Sequence, residues 1–155
     1  MKLYLDTSVI SHLFADDSPQ EMVTTRKLWE QIKNGEGEIF ISETVQDELL
    51  KCAEPKRTKM FDALDEIEYK VLTETQEVHT LAKTYLNNNV LSIKSKIDCY
   101  HIANAVVGNC DFIISWNFKH LVNVKTINSV KVVNTINNYR EIGIISPKML
   151  IIEED

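Results

Sequence analysis

The sequence predicts a three-layer α/β/α sandwich built on a mostly parallel sheet, in one domain covering residues 1–155. Two observations carry the fold. Short apolar runs near residues 2–5, 38–42 and 112–115 lack the polar alternation of a half-exposed strand, which is how strands covered on both faces read. Between them lie longer stretches with apolar residues at helical spacing, and strands alternating with helices favour parallel pairing with right-handed crossovers. A third observation concerns chemistry: Asp6-Thr7-Ser8, Ser42-Glu43 and Ser115-Trp116-Asn117 each stand where a strand ends. In parallel sheets ligands lie outside the carboxyl ends of the strands.

The first strand, 2–5, stops at a run of helix-capping residue types before the apolar turn 9–14. Pro19 opens a helix over 19–33, with Met22, Leu28, Trp29 and Ile32 on its apolar side and Asn34-Gly35-Glu36-Gly37 to end it. Ile39-Phe40-Ile41 form the second strand, and Ser42 caps a helix over 43–52. After Pro55 a helix over 56–66 buries Met60, Phe61 and Leu64; 69–72 is a strand, and 74–87 a helix through Val78, Leu81, Ala82 and Tyr85. The stretch 96–121 organises the rest. A nearly all-apolar helix, 97–107, is joined by Gly108-Asn109-Cys110-Asp111 to a buried strand, 112–115. Ser95 and Asp98 have the spacing of a capping box, which puts the Asp98 carboxylate in the first turn. Residues 118–122 are a candidate helical turn, and Lys131-Val132-Val133 a last short strand.

A length of 155 residues suffices to remove roughly two-thirds of the unfolded surface from water. The formal charge of −6 excludes a broad basic face, so a polyanionic partner must meet a local patch or a metal. Three cysteines, Cys52, Cys99 and Cys110, are odd in number, without metal-binding spacing, and read as reduced residues of a cytoplasmic protein. No signal-peptide pattern or membrane-length apolar run is present.

Three acids on separate elements, Asp6, Glu48 and Asp98, are ones a parallel sheet could gather at one edge. Carboxylates with open water positions suit Mg²⁺ or Mn²⁺ in phosphate chemistry. Glu48 shares a helical stripe with Val45, Leu49 and Cys52, so its charge requires a partner, whereas Glu43 and Asp47 point away. Taken singly, each acid has a structural alternative: Asp6 as a cap, Asp98 in its capping box, Glu48 paired with a lysine. Asp111, at the far end of its strand, reads as structural. His12, His79, His101 and His120 lack zinc-like spacing and read as surface or helix-edge residues. Lys51, Lys56, Arg57 and Lys59 are either a solvated face or the rim of a phosphate-binding groove.

LYLDTSVI, ISETVQDELL, IDCYHIANAV and DFIISWNFKHL, in that order and spacing, resemble the successive motifs of PIN-domain ribonucleases, the family of VapC-type toxins. The resemblance implies an α/β/α domain that cleaves RNA with Mg²⁺ or Mn²⁺. It places the family's first three acids on Asp6, Glu48 and Asp98 and the fourth on Asn117, a departure that removes one charge. His120 stands where many relatives have another acid, and Thr7 and Ser115 become hydroxyls that orient a carboxylate or touch phosphate. It further implies an antitoxin protein as partner and a homodimer, with Phe14, Leu28 and Trp29 as interface or core. The expectation is a metal-dependent endoribonuclease. The alternative is a PIN-like module that binds RNA or protein without catalysis; a phosphatase is disfavoured because Ser8, not a second Asp, follows Asp6 by two positions.

Overall fold

The computed structural model describes residues 1–151. Five strands form one all-parallel sheet in the order β3-β2-β1-β4-β5: β1 (Lys2–Leu5), β2 (Glu38–Ser42), β3 (Lys70–Leu72), β4 (Phe112–Ile114) and β5 (Gly143–Ile145). Among the described residues seven α-helices connect them: α1 (Thr7–His12), α2 (Pro19–Lys33), α3 (Glu43–Leu50), α4 (Lys56–Leu64), α5 (Gln76–Asn87), α6 (Lys96–Val107) and α7 (Val124–Ile136). Helices α1 to α4 pack among themselves, and α5 packs on both α6 and α7, giving the three layers the alternating sequence predicts.

The apolar runs are buried for the reason their composition suggests. Tyr4, Leu5, Ile41, Ile113 and Ile114 are fully enclosed, because helices cover both faces of the central strands. Caps set several helix starts: the Asp6, Ser42, Thr75 and Asn123 side chains accept from the N–H groups of Val9, Val45, Val78 and Thr126. Leu28 and Trp29 lie in the core, while Phe14 is half-buried against it. Cys99 and Cys110 are buried, Cys52 is half-buried, and none forms a disulfide; burial pushes both buried thiols up to about 12.

Three local expectations are corrected. Lys131-Val132-Val133 lies within α7, where Val130 and Val133 face inward at helical spacing and Val132 is exposed. The last strand is instead Gly143–Ile145, whose glycine allows close approach to Phe112: a Cβ there would stand 2.3 Å from that ring. Residues 118–121 form a turn, not a helix, because the Asn117 carboxamide and the Asn123 side chain bind its backbone. Ser95 precedes α6 without a capping bond from its side chain; its hydroxyl lies against the His120 ring instead.

Topology decides where a site can form. From β1 the chain winds outward through β2 to β3, then crosses to β4 and β5 on the other side. The strand order therefore reverses between β1 and β4, and at such a switch point the connections diverge and leave a crevice at the carboxyl edge. Among the described residues no helix is long and apolar enough to cross a membrane.

Candidate active site at the carboxyl edge of the sheet

Asp6 stands in that crevice. Its N–H continues the β1 ladder by donating to the Ile114 carbonyl, 3.2 Å away, and its carboxylate is enclosed, with the residue 3 % exposed. The Ser8 hydroxyl donates to Oδ1 at 2.5 Å and the Ser115 hydroxyl to Oδ2. Both serines also accept from the backbone beyond β4: Trp116 N–H donates to Ser8 Oγ, and Asn117 N–H to Ser115 Oγ, each at 2.9 Å. The ends of β1 and β4 are thus bound together through Asp6.

Glu48 enters from α3. Thr7 Oγ1 donates to its Oε1 at 2.7 Å, and the same oxygen lies 2.6 Å from His101 Nε2. His101 comes from α6, one turn beyond Asp98, so both face the crevice. The imidazole continues inward: its Nδ1 is 2.7 Å from the Tyr4 hydroxyl, which is 2.7 Å from Ser42 Oγ. Asp98 completes the group, its Oδ2 3.1 Å from His120 Nδ1. The Asn117 side chain turns back on its own loop, Oδ1 accepting from His120 N–H at 2.9 Å.

The electrostatics separate these acids. Burial pushes Asp6 above the ordinary carboxylate range, against the pull of His101 and the two serine hydroxyls. Burial also raises Asp98, opposed by His101 and His120 and reinforced by Glu48. Burial opposes ionisation of Glu48 as well, but there the His101 bond prevails and holds it below its ordinary value. His101 is disfavoured as a cation by burial, yet Glu48, Asp6 and Asp98 together raise it above its ordinary value. A single enclosed imidazole therefore feels all three predicted acids.

His101 is a correction: far from a surface residue, it is 2 % exposed and is the partner that the helical stripe around Glu48 required. His120, expected on the surface, is half-buried on Asp98. Neither Tyr4 nor Ser8 was a sequence candidate. The Asp98-to-His101 spacing was the available signal, since i and i+3 share a helix face; for Tyr4 the sequence offered none. Asp111 is structural as expected, its Oδ2 accepting from Lys2 N–H at 2.7 Å. Of the basic residues, Lys51 lies beside Glu48 in a cavity of about 240 Å³, whereas Lys59 lines a different cavity with Arg26.

The model of the PIN domain family matches residues 3–119, a span that runs from β1 into the turn beyond β4 and holds the residues of this crevice except His120. The chain belongs to the PIN domain family. Its fold is also similar to the crystal structure of VapBC2 from Rickettsia felis bound to a DNA fragment from their promoter, at a TM-score of 0.56 and 15 % identity, covering 94 % of this chain and 98 % of that one. Among curated proteins the sequence finds no match. PIN domains are generally nucleases and generally use divalent metals.

The donor chemistry of this PIN domain fits such a metal. Asp6, Glu48 and Asp98 are all-oxygen donors of the kind Mg²⁺ and Mn²⁺ select, and buried carboxylates held above their ordinary range are stabilised by a cation. No hydrogen bond engages Glu48 Oε2 or Asp98 Oδ1 among the described residues. Nor do three or more His, Cys, Asp or Glu side chains form a ready-made cage there, so a cation would be held by one or two carboxylates and waters, as Mg²⁺ commonly is.

Proposed function

We propose that this PIN domain, a single domain over residues 1–155, is a metal-dependent endoribonuclease that hydrolyses RNA phosphodiester bonds in the cytoplasm, as a VapC-like toxin or a stand-alone nuclease. The carrying observation is that the carboxylates of Asp6, Glu48 and Asp98 come from three separate elements at the carboxyl edge, Glu48 bonded to His101 and Asp98 one helical turn from it, at the switch point of the sheet. They would hold Mg²⁺ or Mn²⁺. Such a cation, when bound, polarises the phosphate and lowers the pKa of water.

The chain's own residues supply order. Thr7 and His101 fix Oε1 of Glu48 and leave Oε2 without a hydrogen bond among the described residues; Ser8 and Ser115 fix Asp6. Asn117 is assigned to the catalytic group as the holder of the turn flanking Asp98, and its carboxamide carries no charge to repel a phosphate. Thr7 and Ser115 serve as orienting hydroxyls or phosphate contacts. An antitoxin partner is proposed on the likeness to VapBC2, and a homodimer only on the resemblance of the sequence motifs to those of the family.

The test is cleavage of labelled RNA by the purified chain with Mn²⁺ or Mg²⁺, compared with Asp6→Asn and Asp98→Asn. Undiminished cleavage by both variants would refute the assignment. A second reading, a binding module without hydrolysis, is favoured by Asn117 and by the lack of a ready-made cage. Calorimetric titration separates the two, since a chain without affinity for Mn²⁺ at millimolar concentration cannot act as proposed.

A further inference from the structure

The turn after β4 carries two features that the three-acid site does not use. One is a groove of about 420 Å³ between residues 89–95 and 119–126. Its lining includes Lys119, Lys125, His120, Asn123, Ser92 and Asn89, and no carboxylate, in a chain whose formal charge is −6. The cavity on the other flank, beside Glu48, mixes Lys51 and Lys96 with Asp47 and Glu74. Among the described residues neither Lys119 nor Lys125 has an ion-pair partner, so their charge is available to a ligand. His120 both lines the groove and touches Asp98, so the groove adjoins the candidate active site.

The second feature is Phe118, 49 % exposed although aromatic. It stands edge-on to Trp116, ring centroids 6.1 Å apart. Trp116 is itself fixed, its Nε1 donating to Thr25 Oγ1 at 2.8 Å. The turn that presents Phe118 and Lys119 is held from within: Asn123 Nδ2 donates to both of their carbonyls, at 3.0 and 3.1 Å, and Asn123 Oδ1 accepts from Thr126 N–H. A cationic groove beside an exposed aromatic is the combination that holds a single strand, lysines tracking phosphates and the ring taking a base.

We propose that the 117–123 turn and the start of α7 form a single-stranded RNA subsite, with Lys119 and Lys125 on phosphates of the strand flanking the cleaved bond and Phe118 stacked on an unpaired base. It rests on the nuclease reading for its substrate and names the form of that substrate. A paired base cannot reach Phe118, so the subsite selects single strands over duplex.

The test is fluorescence anisotropy of the full chain in an Asp6→Asn background, which removes cleavage, with a labelled unstructured RNA and an RNA duplex of matched length. Lys119→Gln and Lys125→Gln should each reduce the slope of log affinity against log salt for the single strand by about 0.7. Phe118→Ala should weaken single-strand binding by roughly tenfold and leave duplex binding unchanged. All three positions are exposed, and thermal melting confirms that each variant is folded. Binding and salt slopes equal to the background in all three variants overturn the subsite, as does an equal loss of single-strand and duplex binding with Phe118→Ala. If the variants lose single-strand affinity while the parent fails to hydrolyse RNA with Mn²⁺, the subsite stands and the nuclease reading falls.

Discussion

The two edges of the sheet handle acidic residues in opposite ways. At the amino edge, Asp111 accepts from the Lys2 backbone and lies 3.9 Å from the Arg140 guanidinium, and Glu38 accepts from Lys70 at 3.0 Å; Lys70 holds Glu38 below its ordinary range. At the carboxyl edge, the partners of Asp6, Glu48 and Asp98 are hydroxyls, imidazoles and the Val9 N–H, with no lysine or arginine ion pair among the described residues. The first edge is electrically closed. The second is left short of positive charge, which costs stability in the free protein and favours a cationic ligand.

The sharpest break of this contrast is in activity. Asp6→Asn and Asp98→Asn should each lower Mn²⁺-dependent RNA cleavage by more than about 100-fold, beyond the 10- to 100-fold typical of residues that only orient a metal's ligands. Asp111→Asn, a carboxylate loss at the closed edge, should leave cleavage within about twofold. Initial rates on one RNA compare all three.

Next in size is the removal of the central imidazole. His101→Leu leaves the buried Tyr4 hydroxyl without one partner and Glu48 without its strongest one. That should cost about 2–4 kcal/mol, or roughly 5–15 °C of melting temperature, where Asp111→Asn costs about 1 kcal/mol. A smaller loss for His101→Leu than for Asp111→Asn would mean that the carboxyl edge does not depend on the imidazole.

How much of this was readable beforehand follows from what each residue depends on. Strands β1, β2 and β4 were legible because burial on both faces leaves a continuous apolar run, and Asp6 and Asp98 because each follows a strand end or opens a helix. Strand β5 was not, since three residues beginning with a glycine carry little periodicity and the place of that glycine depends on Phe112, 31 positions earlier. The need of Glu48 for a partner was visible in its helical stripe, but the identity of that partner was not. His101 is fixed by Tyr4 and Glu48, 97 and 53 positions away, and short-range spacing does not encode such a pairing. Element ends and the helical stripe pointed to the acids before the family resemblance did; the imidazole bonded to Glu48 came from packing.

A third prediction concerns pH in the metal-free protein. Asp6, Asp98 and His101 have folded pKa values above their ordinary ones. Each therefore contributes stability that is complete below its unfolded pKa and is lost as pH rises through the folded one. Glu48 is lowered, so its contribution is present above its unfolded pKa and is lost as pH falls through the folded value. In chelator, the melting temperature should rise as pH is lowered from above neutrality toward the carboxylate range, then fall once Glu48 protonates. Asp6→Asn should raise the metal-free melting temperature at neutral pH by roughly 2–4 °C, the equivalent of about 1 kcal/mol, and shrink that pH dependence. A flat melting profile in the parent would contradict the uncompensated edge.

The smallest effect should come from Asn117→Asp. A carboxylate can still accept from His120 N–H, so the turn survives, but it adds a fourth acid near Asp98. Without metal the variant should melt slightly lower, and saturating Mn²⁺ should raise its melting temperature by about 2 °C more than the parent's. Equal gains would place position 117 outside the cation's reach.

The pairing of Leu3 with Phe112, and the Ser115-to-Asp6 bond that spans 109 positions, also have a consequence in time. At a synthesis rate of about 5–20 residues per second, β4 leaves the ribosome on the order of ten seconds after β1 itself. Until then Asp6 lacks the Ile114 carbonyl and the Ser115 hydroxyl that position it, and α6 with Asp98 and His101 has only just been made. The centre of the sheet is thus completed late, and a chain still being translated carries its first acid without the arrangement that gives it purpose.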